Sequence, residues 1–508
     1  MLRKVRILFA VLMLLLVTAL LLGINWRFML MFGWAAKIQF LPAMLSLNIV
    51  ALVFLLTLTA VFGRIYCSTI CPLGVMQDVF GWLGGKVKKN RYTYSPEKKW
   101  LRYTVLTVFA LCLIVGFAPV TTLLAPYSAY GRIVNTLFKP LYELANNYFA
   151  GIAAAHGSYA FTDVDIWLRS VTVPVVALLT VLIVGGLAAA NGRTYCNTIC
   201  PVGTFLSLVA RWSLFKVRFD KSKCRNCSLC SKNCKASAID FKAGTVDYSR
   251  CVVCGDCLEV CKFDALHYTV KAKDKSAKEN EKPAAVSPAA SRPDDEPNDA
   301  VDNSRRAFLV GTAVAAGSMA AAQTLTKVDG GMAAVTNKSV PQRNRHLVPP
   351  GAVSAARFSK HCTACQLCVS ACPNNVLRPS TAPDRFMQPE MSFERGWCRP
   401  ECTHCSHVCP AGAILRIDHP EKKNIHIGHA VLIEENCISL NDGVSCGNCS
   451  RRCQSKAITM VPSDKHFGNL MPVVDVTRCI GCGACENLCP ARPFSAIYVE
   501  GHEQHIYS

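Results

Sequence analysis

The chain has 508 residues, of which 51% are hydrophobic and 18% charged, with 29 cysteines and a formal net charge of +21. A mean hydropathy of +0.26 excludes a plain soluble enzyme and points to a protein partly embedded in a membrane. A disulfide scaffold is excluded by spacing, because 24 of the cysteines fall into six groups of four.

In chain order, Met1–Arg6 carries three basic residues and Ile7–Ile24 is an unbroken apolar run. No small-residue cleavage site follows it, so the run predicts an uncleaved anchor. Leu45–Phe62, Tyr103–Leu124 and Val171–Ala190 predict three more membrane helices, giving a membrane all-α domain over residues 1–220. Arg64, Lys86, Lys88, Lys89, Arg91, Lys98, Lys99 and Arg102 crowd the second loop, and Arg193, Arg211, Lys216 and Arg218 follow the fourth helix. Those sides are expected to be cytoplasmic. The first loop and the long, lightly charged third, Pro126–Leu168, are expected to face outward.

A repeat sits just after the second and fourth helices: GRIYCSTICPLG at Gly63–Gly74 and GRTYCNTICPVG at Gly192–Gly203. Cysteine-x-x-x-cysteine-proline is also the tail of a bacterial ferredoxin motif. Cys67, Cys71, Cys196 and Cys200 therefore either converge on a further metal or cluster at the inner face, or end each helix in a Cys-Pro turn with free or disulfide-paired thiols. Cys112, alone in the third helix, is expected to be packing.

Residues 221–270 predict a cytoplasmic double [4Fe-4S] domain. CxxCxxCxxxC occurs at Cys224, Cys227, Cys230 and Cys234, and again at Cys251, Cys254, Cys257 and Cys261. The triplet-plus-one spacing, twice over, favours iron–sulfur over zinc. In two-cluster ferredoxins the fourth cysteine of each motif ligates the other cluster, so Cys261 is expected with the first triplet and Cys234 with the second. Short alternating runs at Ala238–Phe241, Thr245–Tyr248 and Ala265–Val270 supply the strands of a small α+β bacterial ferredoxin-like fold. Lys235 and Lys262 replace the usual proline, and a positive charge there favours the reduced state of a cluster.

Residues 271–303 are Lys, Glu, Asp, Pro, Ala and Ser without an aromatic, the composition of a disordered linker. Within Asn303–Gln323, the stretch SRRAFL with Arg305 and Arg306 resembles a twin-arginine export signal, and residues 304–325 are expected to form that signal or a fifth transmembrane segment. The other reading is an Ala-rich soluble helix with a chance arginine pair.

Residues 350–508 are expected to be a periplasmic domain with four cluster motifs. Two are regular, at Cys362, Cys365, Cys368, Cys372 and at Cys479, Cys482, Cys485, Cys489. Two are stretched, at Cys398, Cys402, Cys405, Cys409 and at Cys437, Cys446, Cys449, Cys453. Exchange of fourth cysteines would nest the four, pairing first with last and second with third: Cys489 with the first triplet, Cys453 with the second, Cys409 with the third and Cys372 with the last. His404 and His407, inside the second motif, are expected at the surface or behind the ligands. No CxxCH occurs, so no c-type haem is expected.

Six [4Fe-4S] clusters, each with about two negative charges, would bring +21 to about +9. The remaining basic residues lie beside apolar segments, and no basic helix with interleaved aromatics supports a nucleic-acid partner. No nucleotide-binding fingerprint or general acid–base constellation stands in a suitable context.

The first half, with four spans, the repeated CxxxCP and a double ferredoxin motif, resembles the NapH-type membrane subunit of quinol dehydrogenases. The second, with its twin-arginine stretch and four motifs including a widened third, resembles the NapG/MauM-type periplasmic polyferredoxin, as if the two were fused. The resemblance implies a multi-pass protein of the bacterial inner membrane that oxidises menaquinol or ubiquinol and passes electrons to a periplasmic oxidoreductase or carrier. The fusion, the two lysines and the internal signal depart from the pattern. Two other readings stay open: an iron–sulfur accessory or regulatory protein for metalloenzyme maturation, or a ferredoxin-linked redox subunit with all clusters on the cytoplasmic side.

Overall fold

In a computed structural model the described residues are 2–87, 92–158, 161–164, 166, 171–270, 337–463 and 468–508. The expected linker, the twin-arginine stretch and the fifth segment lie outside them. Four long helices carry the N-terminal half: α1 (Leu2–Leu22), α2 (Ile49–Phe62), α4 (Lys99–Val115) and α6 (Thr172–Asn191); α3 (Pro72–Val87), α5 (Pro126–Ile133) and α7 (Pro201–Ala210) pack among them. Residues 3–22 and 172–191 are long and apolar enough to cross a membrane, and α2 is apolar but shorter.

Local chemistry explains where these helices stop. The expected helix Tyr103–Leu124 is two, because Gly116 sits in the left-handed region at φ 86° and ends α4. Similarly α2 starts later than its hydropathy suggests: Asn48 caps it by accepting from the Ala51 N–H, after a separate short helix Phe40–Leu45. The third connection, expected to face outward, is largely helical among its described residues. Pro126, at the first position of α5, starts a path that runs through a π-turn at Val134–Phe138 into Lys139–Ala155. Arg132, fully buried on α5, donates to the Thr122 carbonyl at 2.6 Å and stitches this segment to the chain before it.

Residues 1–269 and 336–508 form one unit. Each long helix touches the 224–261 cysteine module at one end and the C-terminal cysteine domain at the other. On α1, Arg3 pairs with Asp256 at 2.9 Å while a Cβ at Gly23 would press on the Ser370 carbonyl at 2.7 Å. After α2, a Cβ at Gly63 would meet Val253 at 3.1 Å, and Ser46 before it lies 3.6 Å from a Cβ at Gly412. On α4, Arg102 donates to Ser249 Oγ at 3.2 Å, and Gly116 meets Lys360. At the start of α6, Val173 packs with Ala364 and Met387, and beyond its end the Arg193 N–H donates to the Lys235 carbonyl at 2.7 Å. A 21-residue helix such as α1 is about 30 Å long, so the two modules are held at opposite ends of the bundle.

Both modules are small α+β folds of two-stranded sheets and one-turn helices. Phe215–Phe219 pairs with Leu266–Val270 and Ile239–Asp240 with Thr245–Val246, shorter than the runs expected from alternation. In the C-terminal domain β1 (Ile425–Leu432) pairs antiparallel with β2 (Ile497–Tyr507), and the Ser508 N–H donates to the Asn424 carbonyl at 3.0 Å.

Candidate iron–sulfur sites

The four regular motifs share a backbone signature. The residues before and after the second cysteine have positive φ in each: Asn226 and Ser228, Val253 and Gly255, Ala364 and Gln366, Gly481 and Gly483. Such left-handed turns point successive N–H groups into a concavity that suits an anion. The fourth cysteines are also served by backbone donors. The N–H groups of Ala238, Ala265, Ala457 and Ala496 approach Cys234, Cys261, Cys453 and Cys489 Sγ at 3.2–3.4 Å.

Fourth-cysteine exchange holds in the first module. Cys224, Cys227, Cys230 and Cys261 line one small cavity, and Cys234 lies against Cys251, Cys254 and Cys257. In the C-terminal domain the nested order does not form, because neighbouring motifs exchange instead. Cys409 joins Cys362, Cys365 and Cys368 around another cavity, and Cys372 joins Cys398, Cys402 and Cys405. Likewise Cys489 faces Cys437, Cys446 and Cys449, and Cys453 faces Cys479, Cys482 and Cys485. Each pair of adjacent motifs thereby gathers its eight cysteines into two groups of four.

All 29 cysteines are free, and among the described residues no three His, Cys, Asp or Glu side chains close on a single metal ion. Burial pushes the Cys254 and Cys365 thiols up to about 12 and Cys230 up to about 11. Bare thiols in these clefts would stay protonated at neutral pH; as ligands of an iron–sulfur centre they would be held as thiolates that accept from the N–H groups aimed at sulfur.

The two repeats meet. Arg64 donates to the Cys196 carbonyl at 3.1 Å, and Arg193 donates to the Cys67 carbonyl, so each repeat's arginine holds the other's first cysteine. The closing glycines, Gly74 and Gly203, press on the carbonyls of Cys67 and Cys196, where a Cβ would collide. Tyr66 OH donates to Gln39 Oε1 at 3.0 Å and Tyr195 OH to the Leu124 carbonyl at 3.2 Å. Cys67, Cys71, Cys196 and Cys200 are all buried and within electrostatic reach of one another. Cys71 and Cys200 stand at the N-termini of α3 and α7, where Cys200 Sγ accepts the Gly203 N–H at 3.4 Å. Gln77 Nε2 approaches Cys196 Sγ at 3.2 Å. Four thiols under two helix N-termini and two arginines fit a group that binds thiolates. The disulfide-paired alternative does not form.

This four-thiol site lies between the modules. Arg64 reaches from it to the Ser249 carbonyl at 3.0 Å, beside Cys251. On the other side Tyr127 of α5 is buried against Cys365 and Cys409, and Ser128 donates to the Thr363 carbonyl. Further out, the Cys398 N–H donates to the Cys482 carbonyl at 2.9 Å, joining the two C-terminal ferredoxins.

Several contributors carry no motif. Lys422, 6% exposed, donates to Cys398 Sγ at 3.2 Å. Asp78, a lone carboxylate in α3, binds Arg6, Arg193 and Lys235. Lys235 thus serves as a clamp to Asp78 and Asp256, each at 3.1 Å. His404 stacks on Trp26 at 3.6 Å between ring centroids, and His407 meets the same ring edge-on. Cys112 is half-buried in α4, where it lines a small cavity with Cys362 and Thr363.

The chain is 32% identical over 202 residues to the ferredoxin-type protein NapG of Escherichia coli K12, a match spanning 37% of this chain and 81% of that protein. The chain belongs to this NapG/MauM ferredoxin-type family. The methylamine utilization ferredoxin-type protein MauM of Paracoccus denitrificans is 33% identical over 168 residues, 31% of this chain and 73% of its own length. The MauM protein of Methylobacillus flagellatus is 34% identical over 150 residues, 28% of this chain; the chain spans 63% of that relative. A 4Fe-4S binding domain model matches residues 45–90, 172–220 and 403–417, the first two enclosing the repeats. A second 4Fe-4S binding domain model matches 245–267 and 358–378, and a 4Fe-4S dicluster domain model matches 444–492. No solved structure matches the chain. As a ferredoxin-type family member, it is an iron–sulfur electron-transfer protein.

Proposed function

We propose that the chain is a membrane-spanning relay that takes electrons from quinol and hands them to a soluble oxidoreductase or carrier on the far side of a bacterial inner membrane. The observation that carries this is the pair of ferredoxin modules at opposite ends of the same four helices, with the four-thiol site between them. The four helices are the spans. The basic loops at residues 64–102 and 193–218 make the 224–261 side the cytoplasmic end, and the C-terminal domain the periplasmic one. The crossing between them is the one the sequence expects of residues 304–325, which lie outside the described residues.

The six cysteine groups would hold six [4Fe-4S] clusters, and Cys67, Cys71, Cys196 and Cys200 a further metal or cluster, which would supply one-electron storage with little rearrangement. The protein's residues set their order and surroundings. In sequence of contact the groups run from Cys224 and Cys251 through the four-thiol site to Cys362, Cys398, Cys479 and Cys437. The Cys437 group ends the series, and its widened loop, Asn441–Ser445, is exposed beside Arg451 and Arg452. That is the face we assign to the soluble partner. Lys422 at Cys398 and the Arg64–Arg193 pair at the four thiols place positive charge where added electrons sit.

The test is anaerobic addition of menaquinol-1 to the full chain in lipid nanodiscs, following iron–sulfur absorbance. Bleaching supports the relay; clusters that dithionite reduces but quinol does not would end the quinol assignment.

A further inference from the structure

Between α1, α3 and the 224–261 module lies a cavity of about 920 Å³, within the range of small-molecule sites. Its walls differ. One is polar: Gln77 and Asp78 from α3, Arg6 from α1, Arg193 beyond α6, and Lys235 from the module. The other is apolar, made of Ile7, Ala10 and Val11 on α1 with Val79 and Trp82 on α3, and all but Ala10 are exposed on the outer side of the bundle. The apolar wall opens outward, while Arg6, Asp78, Arg193 and Lys235 lie largely buried at the opposite side. That arrangement suits a flat ring on a hydrocarbon tail arriving from lipid.

We infer that this cavity binds the headgroup of the quinol, with Gln77 as the acceptor that orients it; the inference rests on the quinol reading above. Gln77 is 1% exposed, and its Oε1 accepts no hydrogen bond among the described residues although its Nε2 is engaged with Cys196 Sγ at 3.2 Å. A buried acceptor without a donor costs about 1–3 kcal/mol, and a quinol O–H supplies the donor. The charge balance of the lining favours electron-rich oxygens over a cationic ligand. Arg3, Arg6, Lys86, Arg193, Lys232 and Lys235 face it against Asp78 and Asp256. The position also bears on use. Gln77 touches the four-thiol site, and Lys235 follows Cys234 in the chain, so a headgroup here lies beside two of the cysteine groups.

The experiment uses the full chain in nanodiscs with a short-tailed azido-ubiquinone, mapping photolabelled peptides by mass spectrometry, with decylubiquinol as competitor. Label is expected within residues 3–11 and 75–86 and disappears with excess decylubiquinol. Gln77→Leu should weaken competition roughly tenfold, the loss of one buried hydrogen bond. Val79→Trp, which fills the apolar wall without touching the thiols, should abolish the label; retained iron–sulfur absorbance reports folding. Label elsewhere, together with intact quinol bleaching, overturns this site and leaves the relay standing. Label here without bleaching keeps the site and removes the relay. An anionic phospholipid that co-purifies and is not displaced by decylubiquinol assigns the cavity to lipid and overturns the inference.

Discussion

Asp78→Asn isolates the joint that holds the 224–261 module to the helices. Asp78 takes Arg193 at 2.8 Å through both carboxylate oxygens, and Arg6 and Lys235 at 3.1 Å each. The losses on neutralising it are unequal. Lys235 keeps Asp256, whereas Arg193, with its side chain 1% exposed, and Arg6, 6% exposed, lose their carboxylate partner. A buried cation stripped of its partner costs about 3–5 kcal/mol, so Asp78→Asn should destabilise by that order. Asp256→Asn is the matched control. It releases Arg3, 42% exposed and still paired with Glu259, and Lys235, still paired with Asp78, so about 1 kcal/mol or less is expected. Thermal loss of iron–sulfur absorbance in nanodiscs, read side by side, measures the difference. Equal destabilisation by the two substitutions would refute the claim that Asp78 neutralises the joint.

Cys409→Ser should expose Cys362, Cys365 and Cys368 to alkylation by iodoacetamide while Cys437, Cys446 and Cys449 stay protected; the reverse pattern, read by mass spectrometry, would restore the nested order. Lys422→Met removes a cation that touches Cys398 Sγ and should lower the potential of that centre by about 40 mV for ~1 kcal/mol of lost interaction, with Lys422→Arg retaining most of it in a redox titration followed by EPR. Burial holds His505 down to about 4 from an ordinary 6.5. The unfolded chain therefore takes up a proton that the fold refuses as pH drops from 6.5 towards 4. Stability should fall across that window, and His505→Leu should flatten the slope in denaturation measured at successive pH values.

The cysteine groups were legible because iron–sulfur ligation fixes ligand spacing within a few residues, and the regular triplets fold into the same loop wherever they occur. Which fourth cysteine serves which triplet was legible only inside the first module. In the C-terminal domain the spacing suits either exchange, and contacts such as Cys398 with Cys482 decide between them. The repeats were visible, but their meeting depends on arginines that reach 126 and 132 residues along the chain. Hydropathy continues through Gly116, so a break made by backbone conformation was invisible to it. Asp78 did leave a signal, as the one carboxylate in a mostly apolar helix after a Cys-Pro turn.

The connection between the two ends is tested most directly in sealed proteoliposomes supplied with decylubiquinol and ferricyanide, an impermeant oxidant, on the side of the C-terminal domain. That connection requires ferricyanide reduction by the native chain and its loss in a Cys196→Ser, Cys200→Ser variant whose six ferredoxin centres remain loaded. An undiminished rate in that variant would contradict it.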